Sequence, residues 1–288
     1  MSIFCDYLGR PGVCIGSSQI FTLYALTIIV GALAGAYVAA RQARLNGSDP
    51  DVVWDAMIWV VVAGIIGARL YHVLSTPAGC AAEIKGCGWP WYQNHPIDII
   101  GLIREGGLGI YGAVIGGALA AIVYARIKKL PAARYLDFVA PGILLGQAIG
   151  RWGNFVNQEL YGPPTDLPWG ISIDAVHRTY GYVDLLQYPE GTTRFHPLFL
   201  YESMLNLLGF AVLAYVAWRL RRSLKVGDVI LMYVVWYGLV RILVESYRFD
   251  AWTSFGNIPT ATLVSILGAV TALIVLAARH WPRRTAAT

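Results

Sequence analysis

Six apolar runs of about 20 residues constrain this chain more than any other feature, because a helix of that length crosses the roughly 30 Å hydrocarbon layer of a bilayer. They begin near Ile20, Val52, Gly106, Leu198, Val229 and Ile258, and a shorter run covers Tyr135 to Ile149. Composition agrees: 57% of the 288 residues are hydrophobic and 14% are charged, against roughly 25% charged residues in soluble domains. The reading is an all-α integral membrane protein, a bundle of about seven transmembrane helices. There is no fixed-period repeat and no low-complexity linker, so residues 1–288 read as a single polytopic domain. Only residues 159–196 form a polar stretch long enough to be an extracytoplasmic loop region within it.

Basic residues give the orientation. Arg41 and Arg44, then Arg126, Lys128, Lys129 and Arg134, then Arg219, Arg221, Arg222 and Lys225, then Arg279, Arg283 and Arg284 fall at alternate ends of the runs. The positive-inside rule puts all four clusters in the cytoplasm, with the N-terminus outside and the C-terminus inside. The net charge of +5 is therefore topogenic, suits an anionic inner leaflet, and gives no reason to expect a nucleic-acid partner. The opening "MSIFCDYLGRPG" lacks the basic and apolar segments of a cleaved signal peptide, so the first run reads as retained. Cys5, Cys14, Cys80 and Cys87 all fall in segments assigned outside, where disulfides persist. Three pairings are open, with Cys5–Cys14 and Cys80–Cys87 the local choice. No CxxC, HExxH or clustered Cys and His spacing points to a metal, and no cofactor is expected.

Polar residues at membrane depth are informative, since an Arg at the centre of a span costs about 2.5 to 3.5 kcal/mol on insertion scales. Tyr237, Arg241, Glu245 and Arg248 are spaced by 4, 4 and 3 residues, which stacks them on one helix face. A self-neutralising Arg241–Glu245 pair, with Arg248 snorkelling outward, is the plainer alternative to a site. In "REGGLGIYGAVIGGALAA", Gly112 and Gly116 have the GxxxG spacing that lets helices approach. Gly106 and Gly107 follow Arg104 and Glu105 as an irregular helix start from which Tyr111 projects. In "FHPLFLYES", Pro197 suits a first helical turn, His196 precedes it, and Glu202 lies a turn inside. Finally, "GRWGNFVNQELYG" gathers Arg151, Asn154, Asn157 and Glu159 at the outer end of the fourth run. Guanidinium and amide donors at a membrane surface suit a lipid phosphate.

That stretch resembles the G-R-x-G-N-F-x-N-x-E-x-x-G signature of the prolipoprotein diacylglyceryl transferases, with each fixed position met. The likeness extends through "YALTIIVG", "GARLYHVL", "EGGLGIYG", "DFVAPGILLGQAIGR", "PWGIS", "HPLFLYES" and "RILVESYR" in the family's order. The resemblance implies an enzyme that moves the diacylglyceryl group of phosphatidylglycerol onto the lipobox cysteine thiol of prolipoprotein signal peptides, forming a thioether and releasing glycerol phosphate. It implies that Arg151 binds the headgroup, with Asn154, Asn157 and Glu159 shaping that site, and that Arg241 stabilises the leaving phosphate, oriented by Glu245. It further implies that Tyr24 is functional, that Gly162 closes the signature, and that Asp137 and Tyr237 are polar positions near the site; His196, Glu202 and Arg248 join the substrate-binding set. The setting is the plasma membrane of a bacterium, with the active site towards the outer side. An anion transporter is the alternative function, although no paired Gly- or Pro-broken spans in matching halves support it. A purely structural membrane protein is a third, and it has no need of a polar stripe.

One departure matters: relatives commonly carry His where this chain has Tyr111. An ordinary phenol titrates near pH 10 and an ordinary imidazole near about 6.5, so Tyr111 is a poor proton acceptor and reads instead as a hydrogen-bond donor to the phosphate or its glycerol oxygen. Loss of one charge-assisted hydrogen bond is worth on the order of 1 to 3 kcal/mol. Tyr111→Phe is therefore expected to slow transfer by roughly ten- to a hundredfold without abolishing it. Complete loss in a folded Tyr111→Phe protein, together with full activity in Tyr111→His, contradicts that role.

Overall fold

The computed structural model describes residues 4–7, 10–15, 18–76, 83–101, 107–248, 253–255 and 258–281. Arg104, Glu105, Gly106, Cys80, Arg283 and Arg284 lie outside the described residues, as do the side chains of Cys5 and Cys14. Cys87 is disulfide-bonded, and no cysteine is free among the described residues.

The chain packs as two compact units, Met1–Gln42 with Leu136–Thr288, and Ala43–Tyr135. In the first, β1 (Phe4–Tyr7), β2 (Arg10–Ile15) and β3 (Ser18–Thr22) form an antiparallel meander that leads into α1 (Leu23–Leu45). No strand is evident from the hydropathy of this segment, so the sheet adds to the expected helical bundle. The apolar run begins near Ile20 but the helix begins at Leu23, because the Thr22 hydroxyl accepts the Ala25 N–H at 3.1 Å and caps it. Then come α6 (Ala132–Gly150), the short α7 (Trp152–Val156), α8 (Leu198–Arg219), α9 (Asp228–Glu245), the β4–β5 ribbon (Thr253–Phe255 with Ile258–Pro259) and α10 (Thr260–His280). The second unit holds α2 (Asp51–Leu74), the short α3 (Gly88–Tyr92) and α4 (Asp98–Gly101), and α5 (Ile110–Ile127).

Among the described residues five helices, α1, α2, α5, α8 and α10, are long and apolar enough to cross a membrane. The other two long helices are interrupted by polar and charged residues. Arg134, Asp137 and Gln147 interrupt α6, and Asp228, Arg241 and Glu245 interrupt α9.

Small residues set the helix spacing. A Cβ on Gly31 or Gly35 of α1 would stand 2.6 Å from the carbonyl oxygen of Gly146 or Gly142 of α6, respectively. Two glycines four residues apart on each helix thus bring the backbones into contact. In the second unit the expected Gly112–Gly116 face does the same against Gly67 and Ala63 of α2. Gly107, three residues before α5, adopts φ +73° in the left-handed region against the Arg69 and His72 side chains.

Residues 159–196 fold around Tyr161, Ile173, Tyr182 and Phe195. Phe195 bridges both Pro164 and Ile171. Arg178 lies 5.3 Å from the centre of the Phe195 ring and donates to the Ile173 carbonyl at 3.0 Å. This internal core holds the loop region against the start of α8.

Gly35→Val is expected to destabilise the protein by about 1 to 3 kcal/mol, since the obstructing atom is backbone and α1 and α6 must separate. Gly150→Ala, with nothing within 4 Å of the added carbon, serves as the neutral control. Thermal unfolding of both variants in one detergent checks the difference.

Candidate active site

The signature folds as a helix end, a single turn and a tight loop. Arg151 follows the last residue of α6 and stands at the N-cap of α7, while Gln158 and Leu160 adopt φ of +51° and +57° to reverse the chain. Gly153 makes this possible: a Cβ there would lie 2.6 Å from both Tyr24 Cδ2 and Thr27 Oγ1 of α1. Tyr24 consequently sits within electrostatic reach of Arg151 and Glu159.

The Arg151 guanidinium donates to Glu202 Oε1 of α8 at 2.5 Å and to Asn154 Oδ1 at 3.4 Å. Glu202 is fully buried, whereas the Arg151 side chain keeps 24% of its surface exposed. One carboxylate oxygen anchors the arginine, and the guanidinium retains room for a second anion. Glu202 Oε2 has no hydrogen-bond partner among the described residues.

On α9, Arg241 Nη2 lies 2.7 Å from Glu245 Oε2, and Arg248 Nη1 lies 3.9 Å from the same oxygen. Glu245 is 3% exposed and Arg241 is 17% exposed, so this pair repeats the pattern of a buried carboxylate holding a reachable cation. Tyr237, one turn before Arg241, feels the charges of Glu202, Arg151 and Arg241 together. It therefore joins the two arginine sites. Beyond it, Tyr233 stacks parallel to Tyr237 with ring centres 5.9 Å apart and receives a 3.2 Å hydrogen bond from Gln147 Nε2.

Among the residues singled out from sequence, the structure gathers Tyr24, Arg151, Asn154, Glu159, Glu202, Tyr237, Arg241, Glu245 and Arg248. Asn157 turns to Glu159, donating to Oε1 at 2.9 Å. Gly162 donates its N–H to the His196 carbonyl at 2.8 Å, and a Cβ on it would stand 3.1 Å from His196 Cβ. The signature thus touches α8 at Glu202 and just ahead of it at His196.

Asp137 is not with these residues. It lies near the other end of α6, about 20 Å from Arg151 by helical rise, and accepts the Gly227 and Ile230 N–H groups at 2.5 and 3.0 Å. Its carboxylate caps the start of α9, where a helix presents unpaired donors. Tyr111 belongs to the second unit, in the first turn of α5, 53% exposed with its ring 5.7 Å from that of Tyr71.

Sequence reading did not pair Glu202 with Arg151, and it missed Gln147, Tyr233 and the fully buried Asn206. A signal exists: Gln147 and Arg151, Glu202 and Asn206, and Tyr233 and Tyr237 are three polar pairs at i,i+4 on three apolar helices.

Glu202→Gln preserves volume but leaves Arg151 without its buried anion. Breaking a fully buried pair costs about 3 to 5 kcal/mol, and the partial exposure of Arg151 reduces this to about 1 to 2 kcal/mol. Thermal unfolding is expected to show that loss, and an unchanged midpoint contradicts the anchoring role.

The sequence profile described as prolipoprotein diacylglyceryl transferase matches residues 14–278. A phosphatidylglycerol–prolipoprotein diacylglyceryl transferase of Chloroflexus aggregans is 39% identical, over 90% of this chain and 88% of the relative. The second enzyme of that name from Streptomyces coelicolor is 40% identical over 89% and 76%, and the one from Enterococcus faecalis is 36% identical over 89% and 86%. These findings give the transporter alternative no support. The chain belongs to the prolipoprotein diacylglyceryl transferase family.

Proposed function

We propose that this chain transfers the diacylglyceryl group of phosphatidylglycerol to the lipobox cysteine thiol of a prolipoprotein signal peptide. The observation that carries the reading is the pair of reachable guanidinium groups, Arg151 and Arg241, each tethered to a buried carboxylate and joined through Tyr237. Each binds its carboxylate through one terminal nitrogen, and the planar fork of arginine has further N–H groups for phosphate oxygens.

Phosphatidylglycerol enters with its acyl chains in membrane lipid and its phosphate between the arginines. Asn154, Asn157, Glu159 and Tyr24 line the headgroup side. The thiolate attacks the glycerol carbon next to the phosphate, the carbon–sulfur bond forms, and the carbon–oxygen bond breaks with its electron pair leaving on glycerol phosphate. Arg241 meets the charge that grows on that oxygen, the type of preorganised electrostatic stabilisation that lowers such a barrier most. The same cationic field favours thiolate over thiol. Glu202 and Glu245 act by position, because a tethered guanidinium needs no reorganisation when charge develops. Two lipidic reactants held in alignment gain further from proximity.

In this reading α6 and α9 also cross the bilayer of a bacterial plasma membrane, giving seven spans with the N-terminus outside and the C-terminus in the cytoplasm. The polar groups on α9 then face the site rather than lipid.

The direct test incubates purified chain with labelled phosphatidylglycerol and a lipobox peptide. A thioether-linked diacylglyceryl peptide and an equal amount of glycerol phosphate are expected; absence of lipidated thiol contradicts the reading. In the same assay Arg151→Lys and Arg241→Lys are each expected to lose most activity, about a hundredfold, since an ammonium cannot reproduce the fork. Near-normal turnover by folded Arg241→Lys contradicts the assignment.

A further inference from the structure

Thioether formation must dispose of the thiol proton, and the arginines cannot accept it. The chain has five histidines. His280 is paired with Asp228 at 2.8 Å, beside the first residue of α9 and a whole helix from Arg241. His95 is exposed and stacked on Trp91 at 3.8 Å. His177 sits in the loop region, 3.8 Å from Asp174. His72 is tied through Nε2 to the Gly86 carbonyl at 3.1 Å.

His196 differs from these four in what it touches. Its backbone carbonyl accepts the N–H of Gly162, the last residue of the signature. Its ring lies 5.7 Å from that of Tyr247, which comes two residues after Glu245, the partner of Arg241. It thus stands between the arginine-bearing signature and the end of the arginine-bearing helix, half-buried, with part of its surface open.

The ring is also oriented. His196 Nδ1 lies 3.0 Å from the Tyr201 hydroxyl, and that hydroxyl accepts the Trp169 indole N–H at 2.8 Å. Indole nitrogen is only a donor, so Tyr201 is held from outside by a residue of the loop region. The hydroxyl oxygen has a second lone pair for an Nδ1–H donor. In that tautomer the imidazole presents an unprotonated Nε2, and the Tyr201 oxygen does for it what a base-orienting partner does in a nucleophile–base–orienter chain. Among the described residues, the titratable side chains in contact with His196 are Tyr201 in the first turn of α8 and Tyr247 beyond α9.

We infer that His196 is the catalytic base of the transfer, and that Tyr201 and Trp169 are its positioning residues. The inference rests on the transferase reading. As sulfur attacks the glycerol carbon, His196 Nε2 takes the S–H proton, the carbon–oxygen bond breaks onto phosphate, and the imidazolium passes its proton to departing glycerol phosphate or water.

A selenocysteine in place of the lipobox cysteine separates a base from a binding residue, because a selenol is already ionised near neutral pH and needs no base. His196→Gln is expected to slow the cysteine peptide by about a hundredfold or more and the selenocysteine peptide by less than about threefold. Tyr201→Phe and Trp169→Phe are expected to slow the cysteine peptide by about tenfold, to spare the selenocysteine peptide, and to leave KM for phosphatidylglycerol unchanged. With the wild-type chain, the cysteine rate should fall on acidification while the selenocysteine rate stays flat. Equal losses with both peptides, or no loss with either, overturn the inference. So do superimposable wild-type pH profiles, which also decide the matter if His196→Gln does not fold. Absence of product from both peptides with the wild-type chain instead overturns the transferase reading.

Discussion

A charged group in an apolar medium needs a partner, and the contact between Arg151 and Glu202 is the one from which the rest of the site follows. It joins the end of α6 to the second turn of α8, with the carboxylate fully buried and the guanidinium partly open. The carboxylate repays part of the desolvation of the arginine, and its burial prevents it from competing in water for other partners. The result is a cation fixed in position yet still able to bind an anion. Arg241 with Glu245 repeats the device on α9. Tyr237 lies within electrostatic reach of both arginines.

Such a field requires helices at defined spacing. Gly31 and Gly35 against Gly142 and Gly146 place α1 directly on α6, and Gly153 then allows Tyr24 to lie over the turn that carries Arg151. Replacing backbone contact by side chains would move the turn away from α1. At the other end of α6, Asp137 caps α9 by accepting two of its backbone N–H groups. The helix that leads directly into Arg151 thus also fixes the start of the helix that carries Arg241. Packing and function are coupled through one helix.

Much of this was legible in sequence. The apolar runs located the long helices, whose starts fell within about four residues of the runs' own: the Thr22 cap delays α1 to Leu23, α5 begins at Ile110 rather than Gly106, and α6 begins at Ala132, ahead of Tyr135. The Tyr237–Arg241–Glu245–Arg248 spacing gave a shared face because helical geometry is periodic. Contacts between helices were not legible in the same way. Glu202 lies 51 residues from Arg151, and nothing local in either segment shows that they meet. Only the family resemblance put Asp137 near the site, and its carboxylate satisfies helix-end donors at the start of α9. The N-terminal meander escaped notice because its short strands have neither the length nor the apolar continuity that marked the spans.

The measurement that most directly tests the account is a structure of the chain in a lipid nanodisc with phosphatidylglycerol, or a non-cleavable phosphonate analogue of it, bound. Phosphate oxygens are expected within hydrogen-bond distance, about 2.7 to 3.2 Å, of both the Arg151 and the Arg241 guanidinium groups. Glu202 and Glu245 should retain their hold on the two arginines. A phosphate bound elsewhere, or one that displaces Glu202 or Glu245 from its arginine, would contradict it.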